Sequence, residues 1–365
     1  MIRRDPAKET LSVGVVGLGY WGPNLLRALA EMPCVHLSWM CDLDEQLLER
    51  FGRRYPGPAR TTEVGRLFDD PELDAIILAT PVFTHFDLAS RSLDAGKHTF
   101  VEKPLAPSSE LACELLRRAR AQDRVLMCGH TFLYSPPVRA VKDLLRRDEL
   151  GEVFFVSSSR VNLGLHQPDV SVIWDLGPHD FSILLYWLEE VPSTVRAIGR
   201  DSIVPGIPDV AFVTMTYESG IVANVELSWL APSKLRRTVV VGSRKMVVYD
   251  DGSAEPVRVF DHGVVYKDPE TFGEYKLSYR TGDILSPKID AYEPIVKELD
   301  DFLAAIRGGG DSVANAGLAR DVVELAEAAD DSMRRGGAEV TVGSARRFVG
   351  NGAGQPLAEP PASAR

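Results

Sequence analysis

Cysteine is scarce in this chain. The four cysteines among 365 residues are Cys34, Cys41, Cys113 and Cys128, with no Cys-x-x-Cys pair and no His-x-x-x-His beside them. That spacing offers no zinc framework, and no metal is expected. Each cysteine lies in or beside an apolar segment, the setting of buried free thiols in a reducing compartment. Basic charge is also in deficit: 41 Lys and Arg stand against 52 Asp and Glu, a formal net charge of −11. A nucleic-acid partner requires a basic stripe. Arginine pairs occur, among them Arg53-Arg54, Arg117-Arg118, Arg146-Arg147, Arg236-Arg237 and Arg334-Arg335, but they are scattered. No apolar run reaches the roughly 18 residues of a spanning helix. The opening MIRRDPAKET lacks the apolar core of a secretory signal. No nucleic-acid or membrane partner is expected, and the expected location is cytoplasmic. Internal repeats are absent as well.

What the chain does have is an ordinary globular composition, 45% apolar and 25% charged. A single core stops growing at roughly 250–300 residues, so two domains are expected. In the first third, apolar strand-like runs at Leu11–Val16, Val35–Cys41, Ala75–Ala79, Thr99–Val101 and Val125–Cys128 alternate with helical patterns at 22–31, Asp44–Arg54, 86–95 and Ser109–Gln122. Continuously apolar strands separated by helices indicate an α/β domain whose parallel sheet is covered on both faces. After about residue 130 the pattern changes. A helix opens at Pro136-Pro137 and runs to about Arg147, a strand follows over Glu152–Arg160, and a helix spans Pro178–Leu188. Strands are then expected at 194–200, 209–217, 220–230, 235–242, 245–250 and 256–261 with no helices between them. Ile221, Ala223, Val225, Leu227 and Trp229 recur at the period of a half-buried strand. This second domain reads as α+β, built on a large open, mainly antiparallel sheet. Helices return at Tyr292–Ile306 and Gly317–Met333, and residues 351–365, NGAGQPLAEPPASAR, read as a disordered tail.

The strongest local motif is Gly17-Leu-Gly19-Tyr20-Trp21-Gly22, between an apolar strand and a helix. In that context the first glycine permits the turn, the second lets the backbone approach a pyrophosphate, and the third lets helix pack on strand. The helix N-terminus then offers N–H donors to the phosphates. The second strand ends in Asp42, twenty residues past Gly22, where an acid receives the adenosine ribose hydroxyls. NAD is therefore expected, with NADP possible. The third strand runs into Thr80-Pro81, with His85 beyond, and the fourth into Glu102-Lys103-Pro104. Ligands of such sheets sit outside the carboxyl ends of the strands, which places these residues around the dinucleotide crevice. His85 can contact the cofactor or cap the next helix.

With these motifs in hand, and with Asp175-Leu-Gly-Pro-His179 further on, the chain resembles the glucose–fructose oxidoreductase, inositol dehydrogenase and MocA (Gfo/Idh/MocA) family over nearly its whole length. The resemblance implies a Rossmann domain, a second domain with a large open antiparallel sheet, and a catalytic lysine in the Glu-Lys-Pro motif working with an Asp-x-x-x-His pair. Lys103, Asp175 and His179 occupy those positions. The expected boundaries are 1–128 for the NAD(P)-binding domain, 129–350 for the substrate-binding and oligomerisation domain, and 351–365 for the tail. The chemistry asks for the same residue types. Oxidising a secondary alcohol releases a hydride to the nicotinamide and a proton to a base, for which histidine is suited. A lysine cation can stabilise the developing alkoxide. Asp175 and His179 share a face if their turn is helical, with Pro178 acceptable in a first turn.

Substrate contacts are expected from Tyr134, Arg139, Asn162, His166 and Trp174. The GLGYWGPN and HTFLYSPPV segments are similar to the nucleotide-sugar 3-dehydrogenase branch of the family, which acts on UDP-N-acetylglucosamine or its uronate. The resemblance thus implies an oxidoreductase acting on a sugar or polyol CH-OH group. Alternatives are an inositol or aminocyclitol dehydrogenase, an NDP-keto-sugar 3-ketoreductase, an NAD-dependent glycosidase, and a non-catalytic NAD(H)-binding regulator. An open sheet face needs covering, so a homodimer or homotetramer is expected.

Overall fold

The computed structural model describes residues 9–164, 166, 170–266, 277–308 and 312–343. The expected tail at 351–365 lies outside the described residues. In the first half, the chain runs β1 (Leu11–Val16), α1 (Gly22–Glu31), β2 (Val35–Cys41), α2 (Glu45–Arg54), β3 (Ala59–Thr61), α3 (Gly65–Asp69), β4 (Ala75–Leu78), α4 (Val82–Asp94), β5 (His98–Glu102), α5 (Ser109–Ala121) and β6 (Leu126–Gly129). These six strands pair in parallel in the order β3-β2-β1-β4-β5-β6. Every residue of β1 and β4 is buried, as a strand covered on both faces requires. The winding reverses between β1 and β4, and that switch point opens a crevice at the carboxyl ends of the strands. The sequence pattern missed β3 and α3, at three and five residues too short to show a period. It also started α4 four residues late.

After a 3-10 turn at Thr131–Tyr134 come α6 (Pro136–Arg146), β7 (Val153–Leu163), α7 (Val172–Leu188), β8 (Thr194–Arg200), β9 (Val210–Thr216), β10 (Val222–Ser228), β11 (Leu230–Gly242), β12 (Met246–Asp250), β13 (Val257–Tyr266), β14 (Leu277–Leu285), α8 (Pro294–Ile306), α9 (Ala316–Arg334) and β15 (Val340–Thr341). The nine strands form one sheet in the order β14-β13-β12-β11-β7-β10-β9-β8-β15. Only the central β7–β10 pair is parallel. Ala223, Val225 and Leu227 are fully buried on one face of β10, while Val222 and Asn224 are exposed on the other, as period 2 dictates. α7 packs on the covered face. α9 packs on α5 of the first sheet layer as well as on α7 and β8, and α8 packs on α1, so the two C-terminal helices tie the halves together. No helix among the described residues is long and apolar enough to cross a membrane, and none of their His, Cys, Asp and Glu side chains form a group able to hold a metal ion.

One expectation fails in an instructive way. α7 does not start at Pro178 but at Val172, with Ser171 preceding it, and Pro178 lies inside the helix. A proline interior to a helix removes one N–H and crowds the carbonyl four residues back, which is why the sequence pattern placed it in a first turn. Here the helix is held from outside, packed so closely on the second sheet that a Cβ on Gly177 would stand 3.4 Å from Leu227 of β10.

Candidate active site

The turn after β1 is shaped by its glycines. Gly17 sits at φ +92°, a region L side chains avoid, and a Cβ there would come within 2.5 Å of the Ala79 carbonyl oxygen at the end of β4. A Cβ on Gly22 would overlap the Gly17 carbonyl oxygen, whereas nothing lies within 4 Å of the Cβ position of Gly19. The turn is thus closed on the strand side and open where a pyrophosphate approaches the N-terminus of α1. No side chain caps that terminus; Pro23 has no N–H and Asn24 N donates to Trp21 O (2.9 Å), so the Gly22 N–H is the first donor the helix offers. Asp42 locks the turn, its Oδ2 accepting from Leu18 N (2.6 Å) and its Oδ1 from Asp44 N (2.9 Å). Lone pairs remain on both oxygens for a ribose hydroxyl. These features fit a dinucleotide. Tyr20 is exposed, and the Trp21 indole N–H faces the Glu102 carboxylate without a well-aligned bond.

Thr80 and Pro81 stand at the mouth of the crevice. Thr80 Oγ1 bonds Thr84 Oγ1 (2.7 Å), and Pro81 is the N-cap of α4. His85 is neither a cap nor open to a cofactor. It is buried inside α4, with Nδ1 2.8 Å from Pro104 O and Nε2 2.8 Å from Thr80 O. It staples the loops after β4 and β5. Burial pulls its pKa down, while two carbonyl acceptors favour the doubly protonated ring.

β5 ends in Glu102, and a cis bond joins Lys103 to Pro104. Glu102 is buried, its carboxyl pressed on Gly129, where a Cβ would stand 2.9 Å from Oε1. Burial pushes its pKa up to about 7, opposed by the Lys103 cation and N–H. Lys103 Nζ reaches across to α7, donating to Asp175 O (2.9 Å) and Asp175 Oδ1 (3.2 Å). Asp175 Oδ2 accepts from Trp229 Nε1 (3.0 Å), so strand, helix and second sheet converge on one carboxylate. His179 follows one turn along α7 on the same face. The Phe132 ring meets it edge-on at 5.0 Å, and its Nδ1 is buried without a partner among the described residues. Its pKa is pulled well below the usual histidine value by burial, then by Lys103, Arg160, His130 and Arg236. It is therefore neutral near pH 7 and able to accept a proton.

The expected substrate residues divide. Asn162 lies on β7 with Oδ1 buried and unpartnered among the described residues. The His166 ring meets that of Trp229 at 5.2 Å, tilted by 59°, and its Nε2 lies 3.8 Å from the buried Asp209. Trp174 is half-buried in the first turn of α7, packed against the cores of both layers. Tyr134 does not join them. It is wholly buried and donates to Asp301 Oδ2 (2.5 Å), because its turn aims it at α8 between the halves. Arg139 donates to Leu133 O (3.2 Å) and lies over the Tyr134 ring, where it supports that junction. Sequence reading overlooked His130, Phe132, Arg160, Trp229 and Arg236. His130 alone carried a signal. It directly follows a parallel strand, as Lys103 does, and is buried with both ring nitrogens unpartnered among the described residues. Burial and the Lys103 charge pull its pKa down to about 3.

Residues 11–130 match the profile of an oxidoreductase family with an NAD-binding Rossmann fold, and residues 138–248 match the GFO/IDH/MocA C-terminal domain. The chain is 27% identical to an inositol 2-dehydrogenase of Saccharopolyspora erythraea over 60% of this chain and 66% of that one. It is 32% identical to a UDP-N-acetylglucosamine 3-dehydrogenase of Acidithiobacillus ferrooxidans over 46% of this chain and 52% of that one. Among solved structures it is similar to GenD2 from gentamicin A biosynthesis in complex with NAD, with a TM-score of 0.78 and 25% identity over 92% of this chain and 97% of that one.

Proposed function

The chain belongs to the Gfo/Idh/MocA family of NAD-dependent sugar and polyol oxidoreductases, and on that premise we propose that its substrate is a nucleotide sugar whose ring carbon is oxidised or reduced, as by a UDP-N-acetylglucosamine 3-dehydrogenase. The observation that carries the site assignment is the Lys103–Asp175–Trp229 cluster with His179 one turn along, at the carboxyl end of β5.

Bound NAD supplies the hydride acceptor. The Gly17–Gly22 turn and the N-terminus of α1 would hold its pyrophosphate and Asp42 its adenosine ribose, with Thr80, Pro81 and Glu102 lining the crevice. Lys103 has three N–H donors. Two are engaged by Asp175, so one remains for the substrate oxygen, where it stabilises alkoxide character. Asp175, fixed by Trp229, orients that ammonium. His179 is neutral and accepts the hydroxyl proton. In the reverse direction it returns the proton to the carbonyl oxygen.

The test is reduction of NAD or NADP by the purified protein with UDP-sugars, UDP-uronates, free sugars, inositols and aminocyclitols. Turnover confined to UDP-linked sugars supports the reading. Turnover of inositol alone replaces it with a polyol dehydrogenase. Release of free sugar with no net cofactor change replaces it with the glycosidase.

A further inference from the structure

Strand register brings two arginines together beside His179. β7 and β11 pair antiparallel with Arg160 directly opposite Arg236. Two residues along, Ser158 and Thr238 share the same face, buried and bonded to each other at 2.8 Å. Both guanidiniums lie over one ring, with Arg160 Cζ 4.5 Å and Arg236 Cζ 5.2 Å from the Phe132 centroid. The same ring touches His179.

Like charges opposed across a strand pair are unfavourable unless something compensates them. Each arginine has one carboxylate: Arg160 Nε donates to Asp180, and Arg236 Nη1 to Asp251 at 2.9 Å. That leaves donors over. Arg160 has a side chain 4% exposed, and its Nη1 is buried with no partner among the described residues. The Arg236 side chain is 30% exposed, within reach of a solute, and its guanidinium makes no second hydrogen bond among the described residues. An unsatisfied buried donor is costly, and it is tolerated where a ligand satisfies it. Both guanidiniums also lie close enough to His179 to help hold its pKa down.

We propose that Arg236, backed by Arg160 and lying against the same Phe132 ring as His179, binds an anionic two-oxygen group on the substrate, a carboxylate or a phosphate. The guanidinium fork matches two oxygens in one plane. A position one aromatic ring from the base places the charge on the sugar or its anomeric phosphate, not on a distant base. The inference rests on the nucleotide-sugar reading and narrows it to anionic sugars.

The test compares wild type with Arg236→Gln and Arg236→Lys, using a UDP-sugar, the matching UDP-uronate, the free uronic acid and an uncharged sugar. Arg236→Gln should lower selectivity for anionic over uncharged substrate by about tenfold or more, mostly through KM. Arg236→Lys should recover only part of it, since a lysine keeps the charge without the fork. Loss confined to the uronates assigns a carboxylate, and loss shared by every UDP-sugar assigns a phosphate. Unchanged selectivity in a folded Arg236→Gln overturns the proposal. A binding arm needs no turnover: uridine diphosphate and glucuronate are titrated calorimetrically into the NAD-loaded protein. Glucuronate binding that weakens in Arg236→Gln, with no binding of uridine diphosphate to wild type, keeps the anion site and removes the nucleotide-sugar reading. Equal binding in wild type and variant, or no binding of either ligand to wild type, removes the anion site.

Discussion

Replacing Lys103 with methionine isolates the cation. Methionine keeps the unbranched stem and roughly the volume, so packing beside Pro104 changes little. What is lost is the ammonium, two of whose donors are spent on Asp175 O and Oδ1. The group removed from the transition state is therefore one donor aimed at one oxygen. A single oxyanion donor contributes about 10²–10³ in kcat, or about 2.7–4 kcal/mol. The cost to folding should be small, because the Lys103–Asp175 pair is 22% and 23% exposed and water can reach the orphaned carboxylate. Binding of NAD should hold, since the glycine turn and Asp42 are untouched. The assay is NADH absorbance at saturating NAD with the substrate identified in the panel, beside a thermal melt and an NAD titration. The expected pattern is kcat down about 10²–10³, KM within a few-fold and an unchanged melt. A Lys103→Met enzyme retaining more than about a tenth of wild-type kcat would refute the assignment of the oxyanion donor to Lys103.

Four other outcomes follow from the same geometry. Gly22→Ala puts a Cβ into the Gly17 carbonyl oxygen and should raise the NAD dissociation constant about tenfold or more, read by calorimetry; unchanged affinity would mean the turn yields. Glu102, with a folded pKa of about 7 against 4.5 unfolded, contributes stability that is present below pH 4.5 and lost as pH rises through 7. The melting temperature of Glu102→Gln relative to wild type should therefore climb between pH 4.5 and pH 7 and level off above it, and parallel curves would contradict it. The oxidation base must be neutral and the His179 pKa is depressed, so the acid limb of kcat/KM should fall below 6.5, whereas a limb above that value excludes His179 as the base. The uncovered sheet face carries Phe155, Ile198, Phe212 and Val222, each more than two-fifths exposed, and light scattering should return a dimer or tetramer, with the mass of one chain refuting it.

How much of this was legible in the sequence depended on how local the cause was. The β1 turn could be read because a positive φ at Gly17 and close packing at Gly22 are demanded by neighbours in the chain. The parallel strands could be read because burial on both faces leaves them apolar throughout. β14, LSYRTGDIL, mixes polar and apolar residues at a sheet edge and announced nothing. The start of α7 was misplaced because the cost of Pro178 is local, while the packing that offsets it comes from β10. In the site, strand-end position and family likeness singled out Lys103 and Asp175, which the fold brings within hydrogen-bond distance. Trp229 and the two arginines could not be found this way, because their neighbours are set by sheet register and lie far off in sequence. Tyr134 and Arg139 mislead for the converse reason: they are near the site in sequence, but Tyr134 turns toward α8, and Arg139 folds back on Leu133 O and the Tyr134 ring.

That division bears on how the site can be altered. Lys103 hangs from a strand terminus, and Asp175 and His179 from one helix, so their relations are fixed by backbone shared across the fold. Arg160 and Arg236 sit on β7 and β11, where successive side chains alternate faces and one can be exchanged without moving its neighbours. Exchange at Arg236, which is partly exposed, leaves the buried Arg160–Asp180 pair intact, whereas removing Asp180 strands a buried cation at a cost of about 3–5 kcal/mol. Substitutions at Arg236 should therefore change which sugar is accepted, and substitutions at Lys103 should change how fast any sugar reacts.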